Sequence, residues 1–247
     1  MITMRVLREL IIGMILLGFV SFAKSDLATQ NPGPTEVFPL AEGTSWVYQG
    51  TVRWFDFSSG KAAKTRVTWA TQVKRVTRRQ HVTAAVINGF PWDLDWSDGH
   101  PQPIDALMLA SDDGGYYESP LENVKDGVKR LADSSDSLQD LVDPDDILLQ
   151  LPLAKGKKFC GDTEQMARED DEYCWVVNSV DRISLLKVKS LEPKQYQVYE
   201  ISFRTNPDDT ELQFSPGVGL ISYQYHHHGS IADTELKLVA FYKKPGP

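Results

Sequence analysis

The chain has 247 residues, of which 41% are hydrophobic and 24% are charged, with 26 basic and 34 acidic side chains. This composition is typical of a folded protein and excludes a disordered chain, a collagen-like repeat and a coiled coil. The formal charge of −8 argues against a nucleic-acid-binding protein, because contact with phosphates requires a basic surface. Two cysteines are too few for a small fold that depends on disulfides.

The N-terminus has the three parts of a secretory signal peptide at 1–23. Arg5 and Arg8 precede an apolar stretch, and small residues follow it up to Ala23. The stretch is shorter than the roughly 20 residues that span a bilayer, and no later segment is as apolar. We therefore expect export to the periplasm or the outside of the cell, cleavage near Ala23 and no transmembrane span in the mature chain. An uncleaved anchor is the alternative.

Export determines how the two cysteines are interpreted. Cys160 and Cys174 enclose a short acidic segment, and in an oxidising compartment such a pair is typical of a structural disulfide. A redox pair would more often have two residues between the cysteines, and a metal site would need more thiols. We therefore predict a Cys160–Cys174 disulfide.

Strand patterns begin after a polar, proline-containing leader at 24–36. Aromatic and β-branched residues then alternate with polar ones on both sides of a turn at 58–61, which predicts a β-hairpin. Residues 81–87 have the composition of a third strand. We assign 37–133 to a first β-unit.

The middle of the chain has a mixed pattern. Residues 89–103 contain three prolines and are predicted to form a loop, and Asp112–Gly115 is predicted to be the turn of a second hairpin. Apolar residues at helical spacing between Leu121 and Leu131 predict one helix. The acidic stretch 134–146 is predicted to be a linker.

A second β-unit is assigned to 147–247. Its segment 151–159 repeats the apolar-Pro-Leu-Ala-charged-Gly-x-x-aromatic pattern of 38–46, which indicates a duplicated β-unit. Strand patterns follow at 173–183, 196–204, 211–214, 219–227 and 235–242. The sequence thus predicts a mainly β protein of antiparallel sheets, with one helix in a central insertion, forming either one domain or two. By fold-level analogy, the sheets are expected to curve like those of periplasmic lipoprotein carriers.

Two short motifs resemble a signature of uncharacterised exported or lipid-anchored bacterial proteins. One is the aromatic-x-Pro-Gly-Val-Gly-aliphatic segment at 214–220, which leads into a strand, a turn and a final Glu-Leu-bearing strand. The other is a Pro-Leu-x-x-Gly-x-x-Trp opening, present at Pro39, Leu40, Gly43 and Trp46. The resemblance covers 38–60 and 150–242 and lacks a Gly-Thr-Phe turn expected near 191–195. It implies an exported β-rich domain and no particular activity.

His226 and His228 are candidate metal ligands. Alternate residues on a strand share a face about 7 Å apart, so two imidazoles could bind one ion. Asp233 lies across the following turn and is the candidate third ligand. Solvated side chains at the end of a strand are the alternative interpretation.

Two further groups are candidates for binding a ligand or partner. Trp92 and Trp96 lie in an aspartate-rich loop, where they could stack on a sugar, anchor a partner or simply cap the core. Arg75, Arg78 and Arg79 form a basic patch beside a turn. That patch suits an anionic headgroup or an acidic partner, and a solvated turn is the alternative.

The sequence has no nucleophile-elbow, zinc-peptidase or dinucleotide-binding motif. The carboxyl groups of the Asp145–Asp146 segment are expected to have ordinary pKa values. We therefore predict an exported, non-catalytic binding or envelope-associated protein, with a lipid, glycan or protein partner, no nucleic acid and no cofactor. Two alternatives stay open: a metal-dependent hydrolase centred on His226 and His228, and a structural subunit of an envelope assembly.

Overall fold

A computed structural model describes residues 37–119, 121–161 and 163–244, without the side chains of 121–125 and 163. The predicted signal peptide at 1–23 and leader at 24–36 lie outside the described residues. The first six strands are β1 (Ser45–Asp56), β2 (Lys61–Arg79), β3 (Val82–Asn88), β4 (Asp105–Ser111), β5 (Gly115–Ser119) and β6 (Ile147–Gln150). The second six are β7 (Lys158–Cys160), β8 (Cys174–Ser184), β9 (Gln195–Arg204), β10 (Asp208–Ser215), β11 (Gly219–His227) and β12 (Ala232–Tyr242).

Helices are few and short in the part of the chain that is described. The two α-helices are α1 (Leu121–Arg130) and α2 (Thr163–Met166), and 3₁₀ helices span Pro91–Leu94, Gln139–Leu141 and Pro144–Asp146. Helix α1 is the one predicted from the sequence, whereas α2 was not predicted. Across the three described ranges, no helix has the length and apolar character needed to cross a membrane.

All twelve strands form one antiparallel sheet in the order β6-β5-β4-β3-β2-β1-β12-β11-β10-β9-β8-β7. Strands that follow each other in the chain are neighbours, except for β6 and β7, which are the two edges of the sheet. Strand β1 pairs with β12 along most of its length and joins the two halves. The predicted mainly β, antiparallel fold is confirmed.

The sheet curls until its two edge regions nearly meet. The indole of Trp175 on β8 donates a hydrogen bond to the carbonyl of Ile147 on β6, at 2.9 Å. Just before β7, the ammonium of Lys157 donates to the carbonyl of Gln150, at 2.6 Å. Side chains therefore link the two edge regions of a nearly closed sheet.

The main core lies within the curl of the sheet, and a smaller one lies under α1. The largest buried side chains of the main core are Trp46, Tyr48, Phe90, Tyr116, Phe214 and Tyr223. Outside the sheet, Val82, Val86 and Leu107 pack with Leu131, which follows α1. Strand β3 is consequently buried on both faces, because one face contributes to each core.

The segment predicted as an acidic linker, 134–146, is folded against this smaller core. Leu138 is fully buried, and Arg130 at the end of α1 forms ion pairs with Asp136 and Asp140. Since the sheet continues from β1 to β12, the two predicted β-units are halves of one sheet.

The two repeated sequence segments form the same turn. Gly43 and Gly156 both have left-handed φ angles, +84° and +80°, a region that favours glycine because a side chain is strained there. The N–H of Gly43 donates to the carbonyl of Val73 at 2.8 Å, and that of Gly156 donates to Val177 at 2.8 Å. In return, the N–H of Val73 donates to the carbonyl of Thr44, and that of Val177 donates to the carbonyl of Lys157, each at 2.9 Å. The two segments therefore share one turn geometry, and duplication of a β-unit stays a prediction.

The two motifs of the exported-protein signature contact each other. The indole of Trp46 donates to the carbonyl of Val218 at 2.6 Å, and the Tyr48 hydroxyl donates to the carbonyl of Leu220 at 3.0 Å. The N–H of Gly217 donates to the carbonyl of Val37 at 2.8 Å. The opening segment and the β10–β11 turn are therefore one structural unit built from both ends of the chain.

Candidate functional site

An open pocket of about 420 Å³ is lined by residues from both halves of the sheet, and we call it the acid–aromatic pocket. Four of its lining side chains are aromatic: Trp92, Trp175, Phe203 and Tyr223. Four are acidic: Asp95, Glu118, Asp145 and Asp146. The remaining lining residues are Ile147, Leu148 and Thr210. Its volume is in the range of small-molecule sites in proteins, about 300–1,000 Å³.

The two indoles in the pocket are held in place by their neighbours. Trp92 lies in the first 3₁₀ helix, where its ring packs on Phe90 with centroids 3.8 Å apart. Its Nε1 donates to Glu118 Oε1 at 2.8 Å. Trp175 packs on Phe203 with centroids 4.9 Å apart. Aromatic contact and a directional hydrogen bond together fix each ring.

Asp95 is the most deeply buried acid of the pocket, with 8% of its surface exposed. The hydroxyl of Tyr223 donates to its Oδ2, but Oδ1 is buried without a hydrogen bond of normal geometry. The Thr234 hydroxyl interacts with the carboxyl and lowers its pKa, although the Thr234 oxygen also lacks a bond of normal geometry. Burial dominates and raises the pKa of Asp95 well above its ordinary range.

Burial also raises the pKa values of the acids around Asp95. The pKa of Glu118 rises to about 7, with further contributions from the charges of Asp146 and Asp93. Burial raises the pKa of Asp146 to about 6 and that of Asp93, beside the pocket, to about 6. The expectation of ordinary pKa values in the Asp145–Asp146 segment is therefore wrong for Asp146, because this segment packs against the pocket.

The structure separates the two tryptophans that the sequence grouped. Trp92 lines the pocket, whereas Trp96 is 65% exposed. The ring of Trp96 contacts those of His227 and Tyr225, with centroids 4.7 and 6.1 Å apart. A binding role for Trp96 stays a prediction.

The predicted basic patch lies against α1, outside the lining of the pocket. Arg75 and Arg79 both donate to the carbonyl of Leu131, each at 3.5 Å, just beyond the C-terminal end of α1. Arg78 forms an ion pair with Asp112 at 2.9 Å. These cations already have partners within the chain, and their recognition of a further ligand stays a prediction.

The predicted metal ligands come together on the outer face of the sheet. The rings of His226 and His228 have centroids 4.8 Å apart, and His226 Nδ1 is paired with Asp233. His228 Nε2 is paired with Asp209 at 2.8 Å. Within the described part of the chain, no group of three or more His, Cys, Asp or Glu residues is arranged to hold a metal ion. Metal binding there stays a prediction without geometric support.

Two open grooves on the outer face are weaker candidates. The first, about 580 Å³, runs over β1, β2 and β12 and is lined by residues such as Gln49, Thr68 and Lys237. The second, about 370 Å³, contains His226 and Asp233. Both are lined mostly by solvated polar side chains, whereas the acid–aromatic pocket combines aromatic rings with buried ionisable groups, as ligand sites do.

The predicted disulfide is present. Cys160 on β7 and Cys174 on β8 face each other in the ladder and are bonded. The bridge closes the segment containing α2 and anchors the short edge strand β7 to its neighbour.

Sequence reasoning missed Asp95, Glu118 and Asp146 as site residues. Glu118 follows two tyrosines within β5, and an acidic residue in such an apolar strand is the weak signal that was available. Asp95 lies in the aspartate-rich loop between Trp92 and Trp96, and that composition alone does not distinguish a buried site residue from a solvated one. Their convergence depends on a tertiary arrangement that local patterns do not encode.

No family model matches the chain, and neither does any curated protein. Among solved structures, the chain is similar to a protein from Bacteroides fragilis assigned as exported, with a YmcC-like fold. The match has 9% identity, a TM-score of 0.38 and coverage of 82% of this chain and 96% of that one. A Parabacteroides distasonis protein assigned as a lipoprotein matches with 11% identity, a TM-score of 0.35 and the same coverage, 82% and 96%. At these TM-scores neither likeness establishes a shared fold.

Proposed function

We propose that this is an exported, non-catalytic protein that binds a small molecule in the acid–aromatic pocket. The single observation that carries the proposal is the convergence of four aromatic and four acidic side chains on one open pocket of about 420 Å³. Export rests on the signal-peptide pattern at 1–23. Binding is favoured over catalysis because Tyr223 and Trp92 tether Asp95 and Glu118 by hydrogen bonds, as suits a rigid recognition surface.

The pocket has the features expected of a recognition site. Its aromatic rings offer large apolar contact at little entropic cost, because Trp175 and Trp92 are already held by their neighbours. Its buried carboxyl groups provide the few strong polar contacts that orient a ligand. A preorganised site of this kind gains affinity because binding does not have to order its walls.

Native mass spectrometry of the protein purified from its own host tests this proposal. We expect the native protein to have a mass above that of the chain alone, and this increment to disappear on denaturation. The released ligand should keep the same mass after prolonged incubation with the protein. Thr210→Trp should abolish the increment by filling the pocket, whereas Glu211→Trp, at the next position on β10, should retain it. Both variants are compared with wild type by far-UV circular dichroism.

Three outcomes contradict the proposal. Wild-type protein with only its own mass would argue against a bound small molecule. An increment that persists in Thr210→Trp would place the ligand elsewhere. Conversion of the released molecule by the protein would overturn the non-catalytic assignment and identify the raised-pKa carboxyls as catalytic acids.

A further inference from the structure

The wall of the acid–aromatic pocket contains a buried carboxyl group whose hydrogen bonding is incomplete. Asp95 is more than nine-tenths buried, and its Oδ1 makes no hydrogen bond of normal geometry. A buried carboxyl oxygen with poorly formed hydrogen bonds costs free energy, part of which a ligand that supplies a donor recovers. Besides Tyr223, the Thr234 hydroxyl interacts with this carboxyl, and a ligand that donates at this part of the pocket wall would complete its hydrogen bonding.

The charges around this oxygen specify the sign of the ligand. Glu118 and Asp146 line the same pocket, where the negative charge of Asp146 raises the pKa of Glu118. Among the described residues that line the pocket, none is a lysine, an arginine or a histidine. Burial and neighbouring negative charges favour the protonated forms of these carboxyl groups, whereas a bound cation favours their charged forms, so cation binding is coupled to release of protons.

The aromatic rings distinguish an organic cation from a metal ion. Trp92, Trp175, Phe203 and Tyr223 line the pocket, and aromatic rings attract ammonium groups and contact the hydrocarbon attached to them. A bare divalent ion would need several oxygen ligands in a defined shell. Within ranges 37–119, 121–161 and 163–244, no such group of His, Cys, Asp and Glu is present.

We infer that the ligand of the acid–aromatic pocket is an organic amine whose ammonium group pairs with Asp95, Glu118 or both, while its carbon chain packs on the aromatic rings. The inference rests on the proposed function and adds the chemical class of the ligand. The negative charge of the whole chain, −8, adds a long-range attraction for cations.

Isothermal titration calorimetry with defined probes tests this inference. The purified protein is titrated at pH 7.5 with 1,4-diaminobutane, with butylamine and with the neutral isostere 1,4-butanediol. We expect 1,4-diaminobutane to bind, butylamine to bind more weakly and the diol not to bind. Loss of one charge-assisted hydrogen bond in Glu118→Gln should weaken 1,4-diaminobutane binding by about tenfold or more.

Matched variants separate charge from structure. Glutamine at 118 keeps an oxygen that can accept from Trp92 Nε1, so the pocket shape should persist. Asp146→Asn should also weaken binding, whereas Glu211→Gln, an exposed glutamate on β10 outside the pocket lining, should leave the Kd within about twofold of wild type.

Each contrary result has a distinct meaning. Equal binding of the diol and the diamine would overturn the amine assignment but leave the pocket as a binding site. Absence of binding by both amines would also overturn the amine assignment. The proposed function would then still be tested separately, by the mass measurement on host-purified protein. A third result would identify a metal site instead: calcium ions, added as calcium chloride, bind, displace 1,4-diaminobutane and fail to bind to Glu118→Gln.

Discussion

Glu118 is the side chain whose environment departs furthest from what its position in the sequence predicts. It lies on a short strand after two tyrosines, where the alternation of side chains along a strand is compatible with a position facing either solvent or the core. In the fold it accepts a hydrogen bond from Trp92 and faces other acids, and burial raises its pKa from 4.5 to about 7. A local pattern cannot specify this, because the neighbours come from distant parts of the chain.

The raised pKa of Glu118 predicts how stability depends on pH. Between pH 4.5 and about 7 the folded protein retains a proton that the unfolded chain has lost. Stability should therefore fall as pH rises through this window and level off above it. Glu118→Gln should remove part of the slope and increase the free energy of unfolding at pH 8 by up to about 3 kcal/mol.

Urea unfolding of wild type and Glu118→Gln at several pH values measures this effect. Glu211→Gln is the control and should keep the wild-type slope, since Glu211 is exposed. Asp93 and Asp146 have raised pKa values and add slope of the same sign. An unchanged slope in Glu118→Gln would contradict the burial of this carboxyl.

Trp46 shows that a residue of the sequence signature has a structural role. It is 1% exposed and donates to the carbonyl of Val218. Trp46→Phe should leave that carbonyl unpaired and create a void, with a loss of about 2–4 kcal/mol. The matched change at 65%-exposed Trp96 should cost less than about 1 kcal/mol. Equal losses in thermal or urea unfolding would contradict this account.

At the level of elements, the strands were the most predictable feature. Period-two alternation and glycine-containing turns placed the hairpins of β1 with β2 and β4 with β5 correctly. Strand ends differed by a few residues, because pairing with a neighbour extends a strand beyond its own pattern: β12 begins at Ala232, before the predicted start at 235. Helix α2 was missed because a four-residue helix has too little periodicity to detect.

The disulfide is expected to stabilise the edge of the sheet. Cys160 and Cys174 are 14 residues apart, and a crosslink that closes a loop of this length contributes about 3 kcal/mol. Replacing both cysteines by serine should lower the urea midpoint accordingly. Reduction of wild type should have the same effect, and reduction of the double variant should have none. A midpoint that is insensitive to both changes would contradict this prediction.

At the scale of the molecule, the pairing of β1 with β12 could not be predicted from the sequence patterns. Local signals specify strands and adjacent hairpins, but this ladder joins opposite ends of the chain. The same non-local closure assembles the acid–aromatic pocket, whose walls come from β5, β6, β8 to β11 and the 3₁₀-helical segments around Trp92 and Asp146. Trp92 was predicted as a candidate on composition alone, whereas the acids around it required the closed sheet.

The continuous sheet predicts cooperative unfolding of both halves. At Gly50 a Cβ would overlap the backbone carbonyl of Glu235 on β12, so Gly50→Val should force β1 and β12 apart. We expect one urea transition in wild type and one transition at lower urea in the variant. Fluorescence of single-tryptophan versions retaining Trp46 or Trp175 reports on each half. Two separate transitions in wild type would contradict a single cooperative sheet.

The most direct test of the central claim is an NMR titration of the tryptophan indole N–H groups. The six tryptophans give six indole signals, and Trp92 and Trp175 line the pocket, whereas Trp46 and Trp69 are buried elsewhere. Addition of 1,4-diaminobutane should shift the signals of Trp92 and Trp175 in a saturable way and leave those of Trp46 and Trp69 in place. Saturable shifts confined to other tryptophans, or no shifts at all, would contradict an amine-binding site in the acid–aromatic pocket.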